Sequence, residues 1–212
     1  MTTEDKPETP LPYSEALSLE ALRALAHPLR VRIMNELSDF GSMTASGLAE
    51  RLGESSGATS YHLRQLAKHG IIVELEGKGS ARERWWNMAP GGITIGSVET
   101  LKTPAGREAT ELISREWQQN NERRLTAFLR YGLDVLGPEW SEASTLSTTH
   151  LQLTMEQLAE IGQEYYSMVT QLKAKWQAAG YVVSSDDIVD ENDDRRRVQV
   201  QFNAFPLVEG AA

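Results

Sequence analysis

Apolar residues recur every three or four positions in four short stretches between residues 18 and 69. The stretches begin near residues that cap a helix or suit its first turn, such as Ser18, Pro28 and Thr44, and glycines follow three of them. Spacing of this kind predicts amphipathic helices bounded by N-caps and by C-terminal glycines. The predicted helices cover residues 18–26, 28–38, 45–53 and 56–69.

After the fourth helix the pattern changes to short extended stretches. Residues 71–77, IIVELEG, and 81–88, ARERWWNM, predict two strands joined by the turn Lys78-Gly79-Ser80. Two short helices that meet at a Gly-containing turn and lead into a basic hairpin are typical of a winged helix-turn-helix. We assign this domain to residues 18–90, and the Pro90-Gly91-Gly92 segment is the clearest linker signal in the chain.

The rest of the chain combines one long helix with a strand–helix–strand pattern. Residues 93–99, ITIGSVE, predict a short strand, and residues 104–136 predict a long helix that ends at Gly137-Pro138. The last third predicts a strand, an amphipathic helix that begins with a Thr154–Gln157 capping box, and a final strand, at 150–154, 155–179 and 198–207.

The predicted fold is therefore mainly α with a small β component. It consists of the winged helix-turn-helix domain, a long dimerisation helix and a small α+β C-terminal domain. The predicted boundaries are 1–17 for a disordered N-terminal arm, 18–90 for the DNA-binding domain, 91–140 for linker and dimerisation helix, and 141–212 for an effector or assembly domain. The acidic, Pro-rich arm lacks the features of a signal peptide, and no run approaches the roughly 18 apolar residues of a membrane span, so we expect a cytoplasmic protein.

The fourth helix carries the residues best suited to reading DNA. Direct readout in the major groove needs short polar or bidentate side chains near the N-terminal part of such a helix. Arg64 is the best bidentate partner for guanine, and Gly57 permits close approach to the DNA backbone. The predicted DNA contacts of the helix-turn-helix are Thr44, Ser56, Gly57, Ser60, Tyr61, Arg64 and Lys68. The alternative is an ordinary solvated helix face, on which Ser, Thr and Arg are common.

The hairpin adds three cations, Lys78, Arg82 and Arg84, which can lie along the DNA backbone or enter the minor groove. Three glutamates in the same hairpin weaken its field, and a plain solvated turn is the alternative. The whole chain has a net charge of -9, but residues 18–90 carry nine Lys and Arg against eight Asp and Glu. Residues 91–212 carry eleven against eighteen. This distribution indicates a local DNA footprint of modest attraction, so we expect tight binding to require a dimer.

The segments LRALAHPLRVRIMNEL, SGLAERLG, GATSYHLRQLAKHGIIVE and GKGSARERWWNM follow one another between residues 22 and 88. This series resembles the opening helices, the helix-turn-helix and the wing of the ArsR-like bacterial transcriptional regulators, over about a third of the chain. The resemblance implies a homodimeric, cytoplasmic regulator that binds double-stranded DNA. It also implies that the dimer forms through the first helix and the helices after the wing. The predicted dimer contacts on the long helix are Leu112, Trp117, Leu125 and Phe128.

The chain departs from the metal-sensing members that it resembles. It contains no cysteine, and the stretch that matches their thiolate ligands, residues 43–50, is MTASGLAE. Its histidines, His27, His62, His69 and His150, lack a paired ligand spacing. We therefore expect no metal and no cofactor, packing for His62, helix capping for His69, and an effector that is organic.

Aromatic residues in the second half of the chain leave two interpretations open. They can pack a core between the long helices and the predicted sheet, or they can line a pocket for an apolar effector or a partner. The predicted pocket residues are Trp117, Asn120, Tyr165 and Trp176. The polar run QQNN at 118–121 can fix a dimer register or line the pocket.

No nucleophile–base pair, phosphate-binding loop or dinucleotide fingerprint is present in the sequence, which predicts a protein without enzymatic activity. The expected function is sequence-specific transcriptional regulation, as a homodimeric repressor. The alternative is a winged-helix protein-interaction module that does not read DNA, and the net charge of -9 is its best support.

Overall fold

The computed structural model describes residues 16–75, 78, 83–90, 93–181 and 195–208. Their contacts divide the chain into one unit over Glu15–Thr148 and another that contains Thr149–Ala212. Most of the predicted N-terminal arm lies outside the described residues, as does Arg82 of the predicted DNA contacts.

Four helices open the first unit, as the periodicity predicts. They are α1 (Leu19–Leu25), α2 (Pro28–Phe40), α3 (Ala45–Leu52) and α4 (Ser56–Lys68). The hydroxyls of Ser18, Thr44 and Ser55 accept hydrogen bonds from backbone amides in the first turns of α1, α3 and α4. His27 does the same for α2 through Nδ1, which accepts from the amide of Leu29 at 3.2 Å. These caps explain why the helices begin where they do.

A three-stranded antiparallel sheet completes the winged helix-turn-helix. Its strands are β1 (Met43–Thr44), β2 (Ile72–Leu75) and β3 (Trp85–Met88), with β3 between the other two. The sequence predicts β2 and β3 but not β1, which is only two residues long. Pairing of β1 with β3 ties the start of α3 to the hairpin.

Three more helices follow in the same unit, α5 (Val98–Leu101), α6 (Pro104–Leu136) and α7 (Pro138–Ala143). The N-terminal part of α6 packs against α1 and α2, and buries Ala109 and Ile113 in the same core as the helix-turn-helix. Gly106 permits close contact with α5, because a Cβ there would lie 1.9 Å from the carbonyl oxygen of Thr100. The residues farther along α6 leave this core.

In the described part of the second unit, α8 (Met155–Ala178) is the one regular element, and residues 149–154 and 195–208 have no assigned helix or strand. Its predicted capping box is confirmed, since Thr154 and Gln157 exchange both hydrogen bonds. The strands predicted at 150–154 and 198–207 are wrong, because residues 149–181 and 195–208 contain no strand. Alternation alone does not make a strand, which also needs a neighbouring strand in register. The described residues of the predicted α+β unit thus contain helix and irregular chain but no sheet.

The strand predicted at 93–99 is also wrong. Only a single parallel bridge between Ala16 and Thr94 forms there, supported by the hydrogen bond from the Leu17 amide to the Thr94 carbonyl at 3.0 Å. Ser97 caps α5 immediately afterwards, which leaves the segment no length for a ladder.

Because Ile113 is fully buried in the core shared by α6 and the helix-turn-helix, Ile113→Ala should lower the free energy of unfolding by about 2 to 5 kcal/mol. Urea denaturation measures this loss, and Val98→Ala at an exposed position of α5 serves as the control, with a change below about 0.5 kcal/mol. A similarly small change for Ile113→Ala would mean that α6 is not anchored in this core.

Candidate nucleic-acid interface

The exposed side of α4 is set by the residues that the helix buries. Thr59, Leu63 and Leu66 are fully buried, as the spacing predicts, and they hold one side of the helix against the core. Thr59 also donates a hydrogen bond from Oγ1 to the Ser55 carbonyl at 3.0 Å, which satisfies its buried hydroxyl. The opposite side of the helix therefore faces away from the core.

That exposed side carries most of the predicted DNA contacts. Ser56, Gly57, Arg64 and Lys68 are exposed, Tyr61 is 54% exposed, and Ser60 is half-buried. The guanidinium of Arg64 donates from Nε to the Ser60 carbonyl at 3.2 Å, a bond that does not use its two terminal nitrogens. A Cβ on Gly57 would meet no described atom within 4 Å, so packing within the chain does not require a glycine there.

Thr44 lies at the start of the first helix of the motif. Its Oγ1 accepts from the amide of Gly47 at 3.1 Å, and the residue is half-buried. The hydroxyl oxygen therefore already caps α3. The O–H of the same group can still donate a hydrogen bond to a phosphate.

The two hairpin cations that the structure describes, Lys78 and Arg84, have partners within the chain. The Nζ of Lys78 donates to Ser42 Oγ at 2.5 Å and lies 4.8 Å from the centre of the Trp85 ring. Arg84 pairs with Glu74 across the two strands at 3.4 Å, and both side chains are largely exposed. Glu74 thus offsets the charge of Arg84, whereas the partners of Lys78 are neutral and leave its charge in place.

The sequence does not predict a cluster that joins the start of α2 to the middle of α4. The rings of His27 and His62 lie 4.5 Å apart, and Tyr61 meets His62 edge-on at 5.2 Å. Burial lowers the pKa of His62, the neighbouring His27 and Arg30 lower it further, and Glu54 opposes them. Burial also lowers the pKa of Arg30. His62 is thus half-buried beside the cap of α2, and its lowered pKa favours the neutral ring.

A second unpredicted cluster joins α6 to the helix-turn-helix. The ring of Phe40, at the end of α2, has the guanidinium of Arg51 at 3.9 Å and that of Arg124 at 5.0 Å. Arg51 pairs with Glu36 at 2.6 Å, and Arg124 pairs with Asp39. No local sequence pattern signals this cluster, because Arg124 on α6 is distant along the chain from its partners on α2 and α3.

The predicted dimer contacts divide into two groups. Leu112 and Trp117 are half-buried and pack against the core of their own chain. Phe128 is half-buried, and Leu125 is 44% exposed.

The four predicted pocket residues belong to both units. Trp117 and Asn120 lie on α6, where Asn120 accepts a hydrogen bond from Arg123 at 3.2 Å. Tyr165 and Trp176 lie on α8, where Tyr165 stacks on Phe202 at 4.1 Å and Trp176 is 42% exposed.

Four helices, a three-stranded sheet and an exposed polar side on α4 define a winged helix-turn-helix. Residues 27–73 match the family model described as "Bacterial regulatory protein, arsR family". The match confirms the ArsR-like resemblance for this segment and supports a DNA-binding transcriptional regulator.

Two other comparisons add little. No curated protein matches the chain. A similar solved structure is titled "Crystal structure of RV1404 from Mycobacterium tuberculosis"; it is 21% identical, over 60% of this chain and 86% of that chain, with a TM-score of 0.29. A likeness at that TM-score supports no conclusion about this chain.

Two further properties concern only the described residues. None of their helices is long and apolar enough to cross a membrane. No three of their His, Asp or Glu side chains gather closely enough to hold a metal ion.

The lowered pKa of His62 predicts a loss of stability in mild acid. Folding favours the neutral form of His62. Its contribution to the free energy of unfolding is therefore complete above about pH 6.5, and it is lost as the pH falls from there through the folded-state pKa. In thermal unfolding from about pH 8 to 5, His62→Gln should therefore lose less stability on acidification than the parent chain. His150→Gln, at an exposed position, should follow the parent. Superimposable profiles for all three would contradict the assignment.

Proposed function

We propose that this chain is a homodimeric transcriptional repressor that reads a pseudo-palindromic operator and responds to an organic effector. The observation that supports it most is the exposed polar side of α4, from Ser56 to Lys68, which lies opposite a fully buried stripe. A helix held in this way can enter a major groove of about 12 Å with its N-terminal part against the base edges.

Within α4, Arg64 is the proposed reader of base sequence. Its side chain is exposed, and only its Nε is hydrogen-bonded within the helix, so its two terminal nitrogens can bind the O6 and N7 of a guanine together. Ser56, Ser60 and Tyr61 are the proposed neighbours that fix the helix on phosphates and base edges.

The hairpin contributes phosphate contacts of limited strength. Lys78 and Arg84 already interact with Ser42 and Glu74, so each contact with DNA exchanges one partner for another. Affinity from a single copy is therefore small, and two linked copies gain from binding adjacent half-sites together.

The proposed dimer surface is the distal part of α6. Leu125, Leu129 and Leu133 are 44%, 64% and 62% exposed, and they are spaced by four residues along one side of the helix. Burial of such a stripe against its copy removes apolar surface from water. Leu112 and Trp117 of the predicted set instead support the fold of each copy.

The cluster around Phe40 is the proposed connection through which effector binding changes the position of the DNA-binding helices. Arg124 of α6 and Arg51 of α3 contact the same ring, so a shift of α6 changes a contact of α3. Organic effectors fit the absence of cysteine from the chain, which leaves no thiolate to sense a soft metal. Trp117 and Asn120, on the same helix as Arg124, remain the proposed effector contacts of this unit.

Arg64→Ala tests the base-reading role. We expect a loss of about 1 to 3 kcal/mol on the selected operator and a relaxed preference at one position of each half-site, measured by selection from randomised duplexes. Lys78→Ala is the matched control, since loss of a phosphate contact weakens all sequences alike and makes the salt dependence shallower by about one unit.

An unchanged sequence preference in Arg64→Ala would refute its reading role. If the parent chain fails to bind random duplexes and duplexes from upstream of its own gene at both low and moderate salt, the winged-helix interaction module becomes the better proposal. The net charge of -9 is the property that favours that second function.

Leu129→Asp tests the dimer surface. A carboxylate in a buried apolar contact should raise the dimer dissociation constant at least about tenfold in sedimentation velocity, and weaken operator binding with it. Tyr131→Asp is the control, because Tyr131 is 58% exposed on the other side of the same helix. Equal effects of the two substitutions, or none, would contradict this surface.

A further inference from the structure

One exposed side of α8 is apolar. The charged residues of the helix are acidic in its N-terminal half and basic near its C-terminal end. We propose that α8 packs antiparallel against α8 of a second copy, about a two-fold axis that crosses the helix pair at the level midway between residues 169 and 170. This contact rests on the homodimer proposed above and adds a second interface to it.

The residues that the structure describes cover the apolar face of α8 only in part. Met155, Met168 and Trp176 are 62%, 51% and 42% exposed, and at about 100° per residue they lie with Ile161 and Leu172 on one broad side. Phe202 stacks on Tyr165 at 4.1 Å and covers part of that side. Met168 and Leu172, at its edge, border a shallow groove together with Ser167 and Gln171.

The two ends of this groove bear opposite charges. Glu164 lines one end and Lys175 the other. They are eleven residues apart, so about three helical turns and roughly 16 Å separate them on the same edge. The described structure gives neither side chain an ion pair within its own chain.

This distribution extends along the whole helix. The acidic residues Glu156, Glu160 and Glu164 occupy its N-terminal half, and the basic residues Lys173 and Lys175 occupy its C-terminal part. A parallel pair would place acid beside acid and base beside base, which is unfavourable. An antiparallel pair centred between Val169 and Thr170 brings Glu164 of each copy to Lys175 of the other, and the two-fold axis makes both contacts equivalent.

The same register accounts for the groove. Met168 of one copy then lies opposite Gln171 of the other, so each exposed methionine enters the groove of its neighbour. A helix of 24 residues is about 36 Å long, and one such pair buries less than the roughly 1,600 Å² of a standard interface. The contact therefore supplements the one on α6 rather than replacing it.

Absence of cysteine makes the register directly measurable, since one introduced thiol is the only one in the chain. In the proposed pair, position 168 lies three residues from its own copy, or about 5 Å along the axis. Position 179 lies nineteen residues from its copy, or about 28 Å. Met168→Cys should thus be joined into a covalent dimer by a short bis-maleimide, and Ala179→Cys, an exposed residue at the end of the helix, should stay monomeric on a denaturing gel.

Each other outcome overturns the proposal in a different way. Cross-linking at both positions means that the helices run parallel. Cross-linking at neither, in a chain that sediments as a dimer, means that α8 lies outside the interface and leaves the homodimer intact. A chain that sediments as a monomer at micromolar concentration overturns the homodimer as well.

A charge exchange provides an independent measurement. Glu164→Lys and Lys175→Glu should each weaken the dimer about five- to tenfold at low salt, because each replaces two attractions with two repulsions. The double variant restores opposite charges across the axis and should return within about twofold of the parent chain. Additive weakening in the double variant would contradict the pairing of these two residues.

Discussion

Burial of Thr59, Leu63 and Leu66 is the constraint on which the rest of the structure depends. These three residues hold α4 against the core that it forms with α1, α2 and α3, and thereby decide which residues of α4 point outward. Rotation of α4 by one residue, about 100°, would carry Arg64 away from the exposed side and place polar groups in the core. Three further features support this orientation. Ser55 caps the start of α4, His27 caps the start of α2, and the strand that follows α4 pairs with β3.

The long helix α6 has two parts with different surroundings. Its first part, through Ala109 and Ile113, belongs to the core of the winged helix-turn-helix, and its distal part exposes a leucine stripe. The Arg51–Phe40–Arg124 contacts lie between these parts and join α6 to α3. These contacts are the basis for our proposal that dimer formation or effector binding on α6 changes the position of α3 and α4.

Local sequence signals were sufficient to predict those elements whose formation depends on residues close by in the chain. Periodicity, caps and glycines predicted α1 to α4, the ends of α6 and the capping box at Thr154, because each signal lies within a few residues of its effect. They failed for β1 and for the strands expected at 150–154 and 198–207, since sheet formation depends on a partner strand elsewhere. They also missed the contact of His27 with His62 and the pairing of Arg124 with Asp39, which exist only after α2, α4 and α6 have packed.

Protection of guanine N7 from methylation on a selected operator tests the central claim most directly, because it reports whether a side chain occupies the major groove at a defined base. We expect protected guanines in two half-sites related by a dyad, with centres about 10 base pairs or a multiple of one helical turn apart. We also expect Arg64→Ala to remove this protection in both half-sites together. Binding without any protected guanine, or protection that survives in Arg64→Ala, would contradict the claim that α4 reads DNA through Arg64.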